Sequence, residues 1–370
     1  MYKPKVFGPI SMLIIVMSLS GCYRASATIS EGIQVESFAD YRADVDCAAK
    51  IEAIRQETAS TKPLRARYQD VRVVDIHNHG VAENPWNPIR MQETYFIDRT
   101  VLFGNISEPA AVDTDQDAYV VYSLFPDKVY PFFAGVPLRD ETGITMAEAN
   151  LEKGFLGIGE IVAASTYSPV TSRLPWKAEH PNDGILPDLY QLSAKYGVPV
   201  LLHIDPPMGE PIRKLEQALQ ENPEAIIIFG HANAYNTPAN IEKLVSQYPN
   251  LYIDFFAGFT VYNPDSTNEL ADYVPLIEKY PSQFMVSTDS GYGIGQEKAL
   301  MAIYELLDLL TPEAVCQVSH QNMERIIESQ LPTKLQIAQI ETLSREVGEQ
   351  GTRKLNKRMA NELIFELEGK

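Results

Sequence analysis

Apolar, β-branched runs recur along this chain at intervals that leave room for one helix between most neighbours. They cover residues 71–77 (VRVVDIH), 99–104 (RTVLFG), 131–136 (PFFAGV), 156–162 (LGIGEIV), 198–204 (VPVLLHI), 225–231 (AIIIFGH), 251–256 (LYIDFF) and 284–289 (FMVSTD). Each run is continuous rather than alternating, the pattern of a strand covered on both faces. Helical patterns separate most of them: GITMAEANLEKG, ILPDLYQLSAKYG, PIRKLEQALQENP, PANIEKLVSQYP and NELADYVPLIEKYP, with Gly or Pro commonly closing the helix before the next strand. Eight such units predict an α/β chain folded as a closed (β/α)8 TIM barrel. The main rival, a doubly wound open sheet, calls for a glycine-rich phosphate-binding turn after the first strand, and the sequence has none there.

The pattern also sets the boundaries of the barrel. Residues 71–330 hold the repeating units, ending in two closing helices, QEKALMAIYELLDLL and TPEAVCQVSHQNMERIIES. Ahead of them, DYRADVDCAAKIEAIRQETA predicts a helix packed outside the body, and YRASATISEGIQVE reads as a tether within a segment spanning 22–70. Residues 331–370 form a polar, mostly helical extension, a surface for packing on the barrel or for a homo-oligomer contact.

The first 21 residues belong to none of these units. Lys3 and Lys5 precede the apolar run VFGPISMLIIVMSLS, which is too short for a comfortable membrane span, and LSGC follows at 19–22. This order matches a bacterial lipoprotein signal, in which Cys22 becomes the lipidated first residue. Tyr23 stands where an inner-membrane retention signal would have Asp, so the expectation is an outer-membrane anchor facing the periplasm, with the lipid as the only membrane contact. In that compartment Cys47 and Cys316 are free to form one disulfide, a pairing the sequence leaves open. A formal net charge of -18 argues against nucleic acid as a partner, since phosphates need Lys and Arg neighbours. A small-molecule substrate is the remaining expectation.

The chemistry gathers at the strand ends. Of six histidines, His77 and His79 end the first strand, His203 the fifth and His231 the sixth. Glu160 ends the fourth strand and Asp289 the eighth. In a barrel all strand carboxyl ends open onto one face, so four imidazoles and two carboxylates meet at the mouth. That nitrogen and oxygen set suits zinc or a similar divalent ion.

On DIHNH, PVLLHIDPP, IIFGHAN and FMVSTDSG the chain resembles the amidohydrolase superfamily, and in particular its amidohydrolase-2 branch. The resemblance covers residues 71–330 and implies a metal-dependent hydrolase with one or two divalent ions, zinc by expectation. Many two-metal members bridge their ions with a carbamylated lysine on the fourth strand; here Glu160 stands there, as in glutamate-bridged members. With Glu160 as bridge, one ion would take His77, His79 and Asp289 and a second His203 and His231, the arrangement we favour. Otherwise a single ion would take His77, His79, His203 and Asp289, leaving His231 to polarise substrate or orient water. Asp289 is the expected proton acceptor and donor.

The reaction stays open: hydrolysis of a small ester, lactone or amide leads, with non-oxidative decarboxylation or phosphoester hydrolysis on the same site as the alternative. A non-catalytic metal-binding surface lipoprotein is the reading from another class. For substrate contacts the sequence offers ASTYSPVTSRLPWKAEHPND as a lid, with Arg173, Trp176 and His180, then Trp86, Arg90 and Tyr292; Asn322 is expected to be structural.

Overall fold

The computed structural model describes residues 32–39, 41–57, 62–80, 84 and 86–370. The segment read as a lipoprotein signal, with Cys22, lies outside these residues.

Eight parallel strands form the barrel: β2 (Val74–Asn78), β3 (Arg99–Leu102), β4 (Val129–Phe133), β5 (Gly157–Ala164), β6 (Pro199–Ile204), β7 (Ile226–Phe229), β8 (Leu251–Phe255) and β9 (Phe284–Val286). They pair strictly in sequence order, and every predicted strand is among them. β9 and β2 share no backbone ladder. The seam between them is closed instead by Asp75, whose carboxylate accepts from Thr288 N at 2.9 Å and Thr288 Oγ1 at 2.6 Å. The result is a nearly closed (β/α)8 barrel.

Two packed layers explain why the strands read as continuous apolar runs. Successive side chains point to opposite faces of a strand, and here both faces are dry. Val74, Ile76, Val101, Tyr130, Phe132, Leu201, Ile228 and Met285 fill the interior with Met323, Ile326 and Ile327. Phe133, Ile158, Val200, Leu202, Ile227, Phe229, Ile253 and Phe255 face the helices outside. The helix Asn322–Glu328 plugs the amino-terminal end of the barrel. Asn322 donates there to Pro281 O at 2.7 Å and Phe284 O at 2.8 Å, a structural role as expected.

Among the helices not singled out by the pattern are Asn87–Tyr95 and Ala110–Leu124. Each hides a polar residue on its buried side. Gln92 donates to Thr100 Oγ1 at 2.8 Å and Lys128 O at 2.9 Å. Asp115 accepts from the backbone N–H of Gly104, Ala134 and Gly135. A buried face that includes such a residue breaks the apolar stripe that announces a helix.

The terminal segments differ from the sequence expectation in one respect. Part of the 23–36 stretch read as a tether is ordered: Ile33–Ser37 forms β1, parallel to β10 (Gly351–Leu355) inside the C-terminal extension. Ile33 is fully buried with Ile340, Leu355, Ala360, Ile364 and Leu367. Only this small satellite core gives the segment a reason to fold. The extension itself docks on the barrel, where Asn361 donates to Gly154 O at 2.8 Å and Thr333 Oγ1 to Glu152 O at 2.7 Å. The N-terminal helix Cys47–Gln56 is tied to the helix Pro312–Cys316 by a disulfide between Cys47 and Cys316. No helix among the described residues is long and apolar enough to cross a membrane.

Candidate metal centre

The barrel brings all six predicted ligands together at the carboxyl ends of its strands. His77 lies within β2 and His79 one residue beyond it, His203 within β6, and His231 two residues beyond β7. Glu160 lies inside β5, which runs on to Ala164, longer than the apolar run predicted. Gly159 before it has φ +132°, and a Cβ there would stand 2.6 Å from Leu201 O on β6. Only glycine lets the two strands approach this closely beside the carboxylate.

The six side chains form two groups of possible ligands, His77 with His79 and Asp289, and Glu160 with His203 and His231. Glu160 joins them. Its Oε1 lies 3.1 Å from His203 Nδ1 and 3.0 Å from His231 Nε2, while its Oε2 lies 3.6 Å from His77 Nε2 and 3.4 Å from His79 Nε2. Asp289 Oδ1 stands 3.5 Å and 3.6 Å from the same two nitrogens.

Outer partners fix the tautomers of three of these rings. His77 Nδ1 lies 2.7 Å from Asp254 Oδ2, and His79 Nδ1 lies 3.0 Å from Gly104 O. Both acceptors lack hydrogen, so each Nδ1 carries the proton and each Nε2 presents a bare lone pair. Those two nitrogens face each other at 3.1 Å. His203 Nε2 sits 3.2 Å from Thr171 Oγ1 and 3.5 Å from Asp205 Oδ2, which leaves its Nδ1 bare toward Glu160 and toward His231 Nε2 at 3.0 Å. Bare nitrogens and carboxylate oxygens thus converge with at most the His231 N–H among them as a donor. Unrelieved, such a set is repulsive in a buried site; a shared cation, metal or proton, relieves it.

The titration of the groups shows the same field. Burial alone would lower the pKa of His77, yet Glu160, Asp289 and Asp254 raise it well above the usual imidazole value. Burial is likewise overcome at His203, where Asp205 and Glu160 push the pKa up to about 9. Glu160 is held well below the carboxylate range although burial raises it, because His77, His203 and His231 surround it. A site that draws protons onto buried imidazoles is a site of negative potential, and a divalent ion answers it better than scattered protons.

The sequence reading missed the residues behind the ligands. Asp254, fully buried near the end of β8, accepts from His77 through Oδ2 and from His231 N at 2.9 Å. Asp205 accepts from Ser165 Oγ at 2.5 Å and from Thr166 N, Tyr167 N and Ser168 N at 2.7, 3.1 and 2.9 Å. It therefore fastens the start of the lid segment beside His203. Ser290 Oγ accepts from His79 N at 2.6 Å. A usable signal was present: in LYIDFF, an acid interrupts an otherwise apolar strand. Backbone strain concentrates here as well. His231, Asp289 and Ser290, with φ of 34°, 44° and 50°, are among five non-glycine residues of positive φ in the described chain.

A cavity of about 660 Å³ opens over the ligands. Ser168, Val170, Thr171 and Leu174 from the expected lid line it, as does Tyr292. The other expected contacts lie elsewhere. Arg173, Trp176 and His180 are absent from its lining; the lid faces the cavity with its smaller side chains. Trp86 stacks edge-on against Phe125 at 5.9 Å, and Arg90 donates to Asn87 Oδ1 at 2.9 Å within the helix Asn87–Tyr95.

No protein-family model and no curated protein matches the sequence. Among solved structures, a TIM-barrel protein from Bordetella bronchiseptica superposes with a TM-score of 0.54 at 16% identity, covering 70% of this chain and 99% of that one. A 2,6-dihydroxybenzoate decarboxylase complexed with 2,6-dihydroxybenzoate gives 0.47 at 13% identity, covering 69% and 99%. The 5-carboxyvanillate decarboxylase of Novosphingobium aromaticivorans, complexed with manganese and 4-hydroxy-3-methoxy-5-nitrobenzoic acid, gives 0.45 at 11%, covering 80% and 96%. At such identities the likeness is one of fold, the TIM barrel.

Proposed function

We propose that this chain is a metal-dependent hydrolase of the amidohydrolase superfamily, acting on a small ester, lactone or amide, exported and lipid-anchored at Cys22 facing the periplasm. One observation carries the reading: buried ring nitrogens whose protons are committed outward, aimed together with Glu160 and Asp289 at one space. His77, His79 and Asp289 would hold one ion and His203 and His231 a second, zinc in our reading. The division of the Glu160 oxygens between the two groups supports two ions over one. A bound divalent ion would supply charge that acidifies water and polarises a carbonyl.

The chain's own groups supply the remainder. Asp289, at the mouth with 15% of its side chain exposed, takes the proton released by attacking water and returns it to the leaving group. His231, its backbone N–H held by Asp254 at 2.9 Å, would serve the second ion in this arrangement and would orient the scissile group only with a single ion. Asp254 and Asp205 keep the ligand rings turned toward the centre. The lid segment, pinned by Asp205, limits water over the site.

Elemental analysis of protein purified without chelators tests the reading. About two ion equivalents per chain, falling to one or fewer in Glu160→Ala, is the expected outcome. No ion after reconstitution overturns it; a single ion unaffected by the substitution would favour decarboxylation.

A further inference from the structure

The cavity wall carries a charge selection that the ligand cluster does not. Outside the six ligands, Glu108 is the one carboxylate among its described lining residues, and neither Lys nor Arg is among them. Glu108 is half-buried on the loop after β3, where Asn105 Nδ2 donates to its Oε1 at 2.6 Å. That amide fixes the carboxylate without neutralising it. The loop is itself held in place: Ser107, fully buried, accepts through Oγ from Val162 N at 2.9 Å and through its carbonyl from Trp176 N at 3.0 Å. Glu108 is therefore a positioned charge on a braced loop.

Across the lining runs an aromatic row. Tyr235 lies 6.2 Å from Phe259, and Phe259 lies 5.9 Å from Phe256, with Tyr167 continuing the row outward at 5.8 Å from Tyr235. Aromatic faces attract cations and tolerate uncharged rings, and a low-dielectric wall strengthens the field of a nearby carboxylate. Away from the ions the ligands would hold, an anionic substituent beside Glu108 would meet no Lys or Arg among the described lining residues. The overall charge of -18 adds to its exclusion.

We infer that the wall formed by Glu108 and the Tyr235–Phe259–Phe256 row selects an uncharged or cationic aromatic substrate and rejects one bearing an anionic substituent, with Glu108 as the specificity residue. The inference rests on the proposed hydrolysis for the reaction but not for the ligand class. In that reaction water adds hydroxyl to the acyl carbon, the acyl–oxygen bond breaks, and the leaving phenoxide takes the proton.

Two measurements on the zinc-loaded protein separate the claims. The first is calorimetric binding of phenyltrimethylammonium to wild type and Glu108→Gln. Binding should weaken about 5- to 10-fold in the variant, the effect of one partly desolvated charge. The second is kcat/KM for phenyl acetates bearing a para trimethylammonio, methyl or carboxylate group, each divided by its own hydroxide rate. In wild type the carboxylate ester should fall about 10-fold or more below the methyl ester, with the trimethylammonio ester at or above it. Glu108→Gln should draw both charged esters toward the methyl value. Cation binding that ignores the substitution, or a carboxylate ester cleaved as well as the methyl ester, overturns the inference. Glu108-dependent cation binding with no ester cleaved sustains the charge selection and sinks the hydrolase reading instead.

Discussion

Replacing Asp254 with Asn tests whether the residues behind the ligands work on the metal or on the fold. The carboxylate is fully buried; Oδ2 accepts from His77 Nδ1 at 2.7 Å and His231 N at 2.9 Å, and Oδ1 has no partner among the described residues. An asparagine oxygen can accept both hydrogen bonds, with its amide nitrogen where Oδ1 stood. The geometry is then kept and the charge is lost. A hydrogen bond to a charged group contributes about 1.5–3 kcal/mol and a neutral one about 0.5–1.5, so roughly 1–1.5 kcal/mol of ligand orientation and basicity disappears. Loss of a partner behind a metal-bound imidazole lowers affinity by about 10- to 100-fold, and retained geometry puts Asp254→Asn near the lower figure. The metal-free protein should lose some stability too, because Asp254 helps hold a proton on His77 there and the asparagine amide puts two N–H donors where Oδ1 has no partner. Competition against a chelator of known zinc affinity measures the first effect, and thermal unfolding of the metal-free protein the second. Unchanged zinc affinity would refute the assignment of Asp254 to the metal.

Lys357 offers a pH test away from the site: it is fully buried, its Nζ has no hydrogen-bond partner among the described residues, and burial, only partly opposed by Glu152, lowers its pKa from 10.5 to about 7. The unfolded chain binds the extra proton between those values, so this group costs stability increasingly as pH falls from 10.5 toward 7. Lys357→Met should therefore stabilise by about 3–5 kcal/mol near pH 7 and by little above pH 10.5, read from denaturant unfolding across pH. An equal gain at both pH values would show that packing, not charge, is responsible. The Cys47–Cys316 disulfide closes a span of 269 residues, and Cys47→Ser with Cys316→Ser should cost about 2–5 kcal/mol, checked by the same unfolding assay under non-reducing conditions. An unchanged midpoint would mean that the helix contacts alone hold the N-terminal segment.

The barrel was legible because its strands are buried on both faces and its helices on one. FMVSTD at the seam and VRVVDIH at the start obey the same rule as the central strands. The helices Asn87–Tyr95 and Ala110–Leu124 escaped because Gln92 and Asp115 satisfy barrel backbone groups from positions where an apolar stripe was sought. β1 escaped for a different reason. Its pairing with β10 joins segments more than 300 residues apart, and no local pattern in a polar five-residue strand can encode a partner at that distance.

The site divides along the same line. His77, His79, His203 and His231 were legible because a histidine ending an apolar strand is a rare placement that repeated. Asp75 and Asp254 lie within β2 and β8 and Asp205 just beyond β6, and they are harder to read, because one acid in or beside a strand does not show its partner. Their partners are what distinguish them: Thr288 across the seam, the lid backbone, and the far nitrogen of His77. Each contact joins the end of one strand to another strand or its loop, so it exists only once the strands are assembled. An aspartate beside a strand-end ligand is thus best read together with the neighbouring strands, whose ends decide whether it turns a ring, anchors a lid or closes a seam. That reading places the three acids in three different tasks although all sit within two residues of a ligand or of the strand end itself, and it makes Asp254 the one whose loss the metal should feel first.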